Sequence, residues 1–421
     1  MQTTITKKSS SRILPWLLTT VFLDHTSINI IFPVLTIICF DTRSSLFSPD
    51  TSVAIRGMWY GLIISIYHFG NIIAAPLLGI ASDYLGRRLL LLVGALGALI
   101  MASCAALSLF LGMVALLLLG RAIGGICATK AVTQAAIGDL KTTKAKALNM
   151  GYLQALTALG ATVGPLIGGY TATHGFNSTF NFTAPFLLAT LMALLSVIVV
   201  LWKLPETLTK RGQANWQTIS LSFKTTLAQP RIIKISLLLF LSQFSWSLYY
   251  QYIPPILKDQ LQFNATQLGL FLSLIALWLV LSAGLGLRLL KRWFNHTQLI
   301  QLASFTTLLG LALTLLGLLQ PGLAWHRQLI WLAAIPVAVG DVIAYIVFTT
   351  LYSDAVDDLQ QGLIMGICLI VAQTVWFLTG LIGGALLGVH LMLPMLVAPI
   401  GIIILLGLLK YRPNFLALKH E

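Results

Sequence analysis

The chain has 421 residues, of which 57% are hydrophobic and 9% are charged, and its mean hydropathy is +0.90. Soluble domains carry about 25% charged residues, so these values exclude a water-soluble fold. The formal net charge is +14, but the basic residues are spread over short polar segments between apolar runs, which argues against a nucleic-acid partner.

Apolar runs of roughly 20 residues, the length that crosses a bilayer, recur along the whole chain. We therefore predict an all-α membrane protein with twelve transmembrane spans. The predicted spans, numbered 1 to 12 in chain order, are 14–39, 57–80, 89–110, 113–138, 147–171, 183–203, 231–255, 266–288, 297–319, 327–352, 362–388 and 391–409.

A long polar segment in the middle of the chain suggests how the spans are grouped. The expected parts are an N-terminal six-helix bundle (1–203), a cytoplasmic linker (204–230) and a C-terminal six-helix bundle (231–421). The halves also repeat each other, because Asp139 and Gly168-Gly169 recur at one fixed offset as Asp354 and Gly383-Gly384. Such repetition is typical of a membrane fold built from two parallel six-helix repeats.

Lys and Arg residues set the expected orientation in the membrane. With the N-terminus inside, most of the 26 Lys and Arg residues lie on the cytoplasmic side. The exceptions are four outside residues (Arg43, Arg56, Lys258 and Arg327) and two within span 4 (Arg121 and Lys130). This bias predicts that both termini are cytoplasmic.

The segment between spans 2 and 3 reads Gly-Ile-Ala-Ser-Asp-Tyr-Leu-Gly-Arg-Arg, from Gly79 to Arg88. Asp83 can accept hydrogen bonds from an arginine, and Gly86 permits a tight turn. The segment resembles the signature loop of the major facilitator superfamily, G-x-x-x-D-x-x-G-R-[RK], at every fixed position. The resemblance implies alternating access and a gate in which Arg87 pairs with Asp139 at the inner end of span 4. It also implies that Asp83 lies near the start of span 11.

Two carboxyl groups lie deep within predicted spans, Asp24 in span 1 and Asp341 in span 10. A charge at such a depth costs at least ~2.5 kcal/mol, so it usually faces a cavity and has a function. We expect both acids to carry coupled protons; the alternative is a structural acid bonded between helices. Residues 23–33 resemble the span 1 motif of drug:proton antiporters, L-D-x-T-x-x-N-x-x-x-P, with Asp24, Asn29 and Pro33 in place. The neighbouring His25 is interpreted as a satisfied interhelical histidine.

Span 4 contains two cations, Arg121 and Lys130. The stretch around Arg121 resembles the superfamily's span 4 motif. The spacing of the two residues places them on opposite faces of a straight helix, so both reach a cavity only if Gly124-Gly125 bends it. Lys130 lies at about the depth of Asp24, and we expect these two side chains to pair.

Span 5 contains the pattern G-x-x-x-G-P-x-x-G-G from Gly160 to Gly169, which permits close helix approach and a bend. The pattern resembles a motif associated with antiporters, although small-residue packing alone also explains the glycines. The residue pattern Leu-Pro-Glu-Thr at 204–207 resembles the ending that such transporters often carry after their sixth helix. The gating residues that these resemblances imply are Asp83, Gly86, Arg87, Arg88, Asp139, Gly164, Pro165 and Gly168.

Span 7 places Gln243, Trp246 and Tyr250 on one helical face, which suits an aromatic ligand wall with a few polar groups. Tyr249 and Tyr252 fit an interfacial aromatic belt equally well. The predicted substrate-binding residues are Asn29, Arg121, Lys130, Gln243, Trp246, Tyr250 and Tyr345.

No phosphate-binding loop, nucleophile constellation or metal-ligand spacing is present, so we expect no enzymatic activity, cofactor or metal. The resemblance to tetracycline-exporter-like drug:proton antiporters implies proton-coupled export of a drug-like or amphipathic small molecule across a bacterial inner membrane. We expect a monomer whose partners are the substrate, protons and the lipid bilayer. The alternatives are a proton-coupled transporter of an anionic metabolite or siderophore, and a non-transporting receptor or lipid-handling protein on the same fold.

Overall fold

The computed structural model describes residues 7–140, 143–174, 182–208, 223–286, 290, 292–320, 325–356, 360–412 and 415. Residues 209–222 of the predicted linker lie outside this set. Within the described ranges the protein consists of α-helices and one short π-helical segment, without strands.

The helices of the first half are α1 (Lys7–Phe40), α2 (Val53–Leu85), α3 (Arg87–Leu111), α4 (Val114–Ile126), α5 (Lys130–Gly138), α6 (Thr143–Thr173) and α7 (Ala184–Lys203). Those of the second half are α8 (Pro230–Leu261), α9 (Ala265–Leu281), α10 (His296–Leu319), α11 (His326–Ser353), α12 (Gln361–Val389) and α13 (Leu393–Tyr411). The π-helical segment, Ser282–Gly286, continues α9.

These helices make the protein a multi-pass membrane protein. Eleven described segments are long and apolar enough to cross a membrane, and α4 with α5 forms one of them, Val114–Gly138. The two parts of α2, Val53–Ala74 and Leu77–Leu85, are bent by 48° and together give a twelfth span. The predicted all-α class with twelve spans is therefore confirmed.

The chain divides into two compact units. The first comprises Met1–Asn215 with Phe263–Ser273, and the second comprises Trp216–Gln262 with Leu274–Glu421. The first turns of α9, predicted in the C-terminal bundle, thus group with the N-terminal helices. Helices α6 and α9 approach closely there, since a Cβ added to Gly169 would lie 3.0 Å from the Gly269 Cα atom.

Helix packing within each unit follows one scheme. In the first unit α1 packs on α6 and α7, and α3 packs on α4 and α7. In the second unit α8 packs on α12 and α13, and α10 packs on α11 and α13. Counting spans from the start of each half, these are equivalent pairs, as the internal sequence repeat predicts.

Span 4 is interrupted between α4 and α5. A Cβ added to Gly70 of α2 would lie 2.7 Å from the carbonyl carbon of Gly125, so α2 and α4 are in backbone contact there. The α-helix stops at Ile126, directly after Gly124-Gly125, and resumes at Lys130. The break that could reorient the span is thus present, a few residues beyond the predicted position.

Candidate functional site

Arg87 lies at the centre of a charged network at the junction of α2 and α3. Its Nη2 atom is 2.6 Å from Asp83 Oδ1, and its Nε atom donates to Asp139 Oδ2 at 3.0 Å. Nη1 also donates to the Ser82 hydroxyl. The Arg87 side chain is only 9% exposed, so these acids hold a largely desolvated cation. The predicted pairing of Arg87 with Asp139 is present, while its gating role stays a prediction.

Glu206 is a further member of this network that the sequence did not single out. Its carboxylate accepts hydrogen bonds from the backbone N–H groups of Arg87 at 2.9 Å and Arg88 at 3.3 Å, the first residues of α3. It also accepts two N–H groups of its own segment at 2.9 Å each. An anion at a helix N-terminus accepts hydrogen bonds from the unpaired backbone N–H groups and interacts favourably with the positive end of the helix dipole. The only signal was the Leu-Pro-Glu-Thr ending after span 6.

Gly86 has a backbone conformation that other residues rarely adopt. Its φ is +104°, and a Cβ added there would collide with the Glu206 carboxylate. The predicted need for glycine at this turn is confirmed. Arg88, the next basic residue, donates from Nη2 to the Leu201 carbonyl of α7 at 2.6 Å. The loop is therefore tied to α7 as well as to the segment after it.

Asp139 lies just beyond the end of α5. Burial raises the pKa of its carboxyl group, while the hydrogen bond and charge of Arg87 act in the opposite direction. On acidification, Asp139 therefore loses its charge at a higher pH than an ordinary aspartate does, and the Arg87 contact weakens with it.

Asp24 has Ser196 of α7 as a close neighbour. Ser196 of α7 is close enough to act on the carboxyl group, yet Asp24 Oδ1 and Ser196 Oγ are both buried without a hydrogen-bond partner. The expected pairing of Asp24 with Lys130 stays a prediction. Lys130 of α5 acts electrostatically on the neighbouring His25. Consecutive helical side chains point about 100° apart, so His25 and Asp24 have different surroundings.

The motif of span 5 packs directly on the motif of span 1. A Cβ added to Gly160 would lie 2.8 Å from the His25 Cβ atom, and one added to Gly164 would lie 2.7 Å from the Asn29 Cβ atom. Asn29 Nδ2 donates to the His25 carbonyl at 2.7 Å. Asn29, predicted as a substrate ligand, thus has its amide engaged within α1 at a tight helix interface.

The two cations of span 4 have different surroundings. Arg121 is 4% exposed; its Nε donates to the Ile63 carbonyl at 3.2 Å, and its guanidinium carbon lies 4.6 Å from the centre of the Tyr67 ring. No carboxylate forms an ion pair with Arg121 among the described residues. Lys130 is exposed at the start of α5. Of the two cations, Lys130 is therefore the one that a ligand can reach.

A buried acid of the second unit is held by an amide. Asp341 is 7% exposed, and its Oδ1 accepts a hydrogen bond from Gln243 Nε2 at 2.8 Å. Gln243 Oε1 in turn accepts from the indole Nε1 of Trp376 at 3.3 Å. Trp376 of α12 was missed at the sequence level, where a lone tryptophan in an apolar span gives no functional signal.

Aromatic rings adjoin this hydrogen-bonded chain. The Tyr250 ring centre is 5.2 Å from that of Trp246 and 5.8 Å from that of Trp376. Trp246 is buried, whereas Tyr250 and Trp376 are partly accessible, so a ligand meets the latter two first. Tyr345, one turn after Asp341, interacts electrostatically with that acid and with Cys368 of α12.

Tyr249 and Tyr252 are not interfacial belt residues. Both are fully buried. The Tyr252 hydroxyl donates to the Gly380 carbonyl, and its ring packs where Gly383 leaves space, so it joins α8 to α12. The belt interpretation is therefore wrong for this pair.

Comparison with known families and proteins gives a consistent result. The family model described as Major Facilitator Superfamily matches residues 17–384. "Tetracycline resistance protein, class H" of Pasteurella multocida is 27% identical over 377 residues, covering 86% of this chain and 84% of that protein. "Multidrug resistance protein 1" of Bacillus subtilis is 24% identical over 288 residues, covering 68% of each chain.

Solved structures resemble this fold along nearly its full length. A D-xylose–proton symporter superposes with a TM-score of 0.74 at 16% identity, covering 96% of this chain and 98% of that one. A human organic anion transporter superposes with a TM-score of 0.66 at 18% identity, covering 95% and 99% of the two chains. At such identities the likeness establishes the fold alone.

Proposed function

The chain belongs to the major facilitator superfamily, and on this basis we propose that it is a proton-coupled antiporter that exports a small drug-like or amphipathic molecule. The membership confirms the resemblance indicated by the loop from Gly79 to Arg88, and it makes the protein a transporter rather than an enzyme. The names of several relatives, which concern tetracycline and multidrug resistance, support export of such molecules.

The observation that carries the proposal is the buried acid of the second unit beside accessible aromatic rings. Asp341 is nearly inaccessible, accepts a hydrogen bond from the Gln243 amide and forms no ion pair among the described residues. Such an acid is stable in the membrane when it holds a proton, and it can release that proton when its surroundings change. Tyr250 and Trp376 supply the flat apolar surface on which an aromatic or amphipathic molecule can stack.

Asp24 is the second candidate carrier of a proton. Its unsatisfied Oδ1 beside Ser196 fits a carboxyl group that exchanges a proton during transport. We further propose a monomer in a bacterial inner membrane with cytoplasmic termini, from the distribution of Lys and Arg.

A transporter of an anionic metabolite is the second candidate function. The observation in its favour is the exposed Lys130 at the break in span 4. Arg121, the other cation, is already engaged by Ile63 and Tyr67, which leaves fewer positive groups for an anion than the sequence suggested. A receptor without coupled transport would gain nothing from two buried acids.

Transport in proteoliposomes tests the proposal, with tetracycline and ethidium as probes and a pH gradient imposed in either direction. An antiporter accumulates a probe in vesicles with an acidic lumen, since protons leave as the probe enters, whatever the orientation of the protein. A symporter accumulates it in vesicles with an acidic exterior. A protonophore should abolish the accumulation, and liposomes without protein are the control. Accumulation driven by an acidic exterior contradicts the proposal. A failure to accumulate either probe under both gradients contradicts it as well.

A further inference from the structure

We propose that Gln243 and Trp376 form an amide relay that links occupancy of the aromatic surface to the proton on Asp341. The relay is the hydrogen-bonded series Trp376 Nε1 to Gln243 Oε1, and Gln243 Nε2 to Asp341 Oδ1. The inference rests on the proposed function, because it names the residues through which substrate and proton would exclude each other.

The direction of the Gln243 amide is set by Trp376. An indole nitrogen can only donate a hydrogen bond, so the amide must present its oxygen to Trp376 and its NH2 group to Asp341. The distances of 3.3 Å and 2.8 Å agree with this assignment. An N–H that donates to a carboxyl group favours the ionised carboxylate over the protonated acid. The intact relay thus disfavours a proton on Asp341.

Asp341 favours its protonated form when the Trp376 indole moves away from Gln243. Gln243 is then free to turn its amide and to present its oxygen to the hydroxyl of a protonated Asp341. Both side chains are nearly inaccessible, at 3% for Gln243 and 7% for Asp341, so water is a poor substitute for the lost partner. Two discrete amide orientations therefore correspond to two protonation states.

A ligand on the aromatic surface holds the relay in its first state. The backbone of Trp376 is fixed by Gln251, whose Nε2 donates to its carbonyl at 3.2 Å, so the indole is the movable part. A planar molecule stacked on Tyr250 and Trp376 restrains that indole against Gln243 and excludes the proton from Asp341. Antiport requires that substrate binding expels the proton, and the relay gives this effect. Because the ligand acts by stacking, the relay favours planar aromatic substrates.

Other groups near Asp341 do not supply this dependence. On α11 itself the titratable neighbour is Tyr345, which also contacts Cys368 of α12. From α8 the contacting side chain is the neutral Gln243. Helix α9 with its π-helical segment has no ionisable residue, and α10 has only His296, its first residue.

Infrared spectroscopy of the reconstituted full-length protein tests the relay without a substrate. The carboxylic C=O band of protonated Asp341 is identified by its loss in Asp341→Asn, and it is followed as the pH is raised. Trp376→Phe keeps a ring but removes the N–H donor, so the band should persist to a pH about one unit higher, a tenfold change in proton affinity. Gln243→Leu removes the donor to Asp341 and should move the band in the same direction.

The matched control is Trp293→Phe, because Trp293 is 81% exposed and far along the chain from the relay. It should titrate as the native protein does. If Trp376→Phe and Gln243→Leu both leave the band's midpoint within ~0.2 pH units of the control, the relay is wrong. Such a result would leave gradient-driven transport untouched, so failure of the relay is distinguishable from failure of the proposed function.

Discussion

Removal of the Glu206 carboxylate should destabilise the first unit measurably. In Glu206→Ala the N–H groups of Arg87 and Arg88 lose their acceptor at the start of α3. Loss of a capping side chain costs about 0.5–2 kcal/mol, and loss of a charge at a helix N-terminus costs about 0.3–1 kcal/mol. Because the second bond is long and Arg88 is exposed, we expect a total of about 1–2 kcal/mol. For a unit of this size that lowers the midpoint of thermal unfolding by about 2–8 °C.

A thiol-reactive dye measures this effect in a Cys368→Ser background, where the remaining cysteines, Cys39, Cys104 and Cys127, all lie in the first unit. Glu206→Gln keeps one acceptor oxygen and should lose about half as much. The matched control is Asp50→Ala, which removes an exposed acid between α1 and α2. If Glu206→Ala unfolds within ~1 °C of this control, the carboxylate does not hold the loop.

Three further changes test the first unit. Asp83→Asn removes one of the two carboxylates that contact Arg87. It should lower the transport rate at least tenfold while membrane insertion is unchanged. A normal rate would exclude a gating role for Asp83. Burial raises the pKa of Asp139, so its contact with Arg87 is present above that pKa and lost as the pH falls through it. Asp139→Asn should therefore flatten the acid side of the pH–rate profile of transport. An unchanged profile would contradict this. Gly164→Ala forces a Cβ into α1 and should lower the midpoint of thermal unfolding. Gly151→Ala on the same helix places its Cβ in open space and should not lower it. Equal midpoints for the two variants would argue against the tight interface.

Local sequence patterns predicted the features that depend on few residues. The spans followed from apolar run length, and the turn at Gly86 followed from a motif whose glycine needs a positive φ. The pairing of Arg87 with Asp139 followed from a family resemblance that covers both helix ends. In each case a short segment or a known pattern was sufficient.

Features that depend on helix rotation could not be predicted in the same way. The depth of Asp24 and Lys130 in the membrane suggested a pair, but depth alone did not indicate Ser196 as a neighbour of the acid or His25 as a residue on which the cation acts. Glu206 is brought to the start of α3 from a segment over a hundred residues later in the chain. Contacts of this kind depend on the packing of whole helices, which residue spacing along one helix does not determine.

The second unit shows the same limit. Gln243 and Tyr250 were found on one face of α8 from their spacing, and Asp341 from its depth. Trp376, which joins them, comes from another helix whose sequence has no polar pattern. The burial of Trp246 beneath Tyr250 likewise depends on how α8 and α12 are rotated against each other.

Asp341→Asn in proteoliposomes tests proton coupling most directly, through two assays on one preparation. Exchange of labelled against unlabelled probe, without a pH gradient, requires only binding and alternating access, so it should remain within about threefold of the native rate. Accumulation driven by an acidic lumen requires a proton carrier, so it should fall to the level of liposomes without protein. If Asp341→Asn still concentrates the probe against its gradient, Asp341 does not carry the coupled proton.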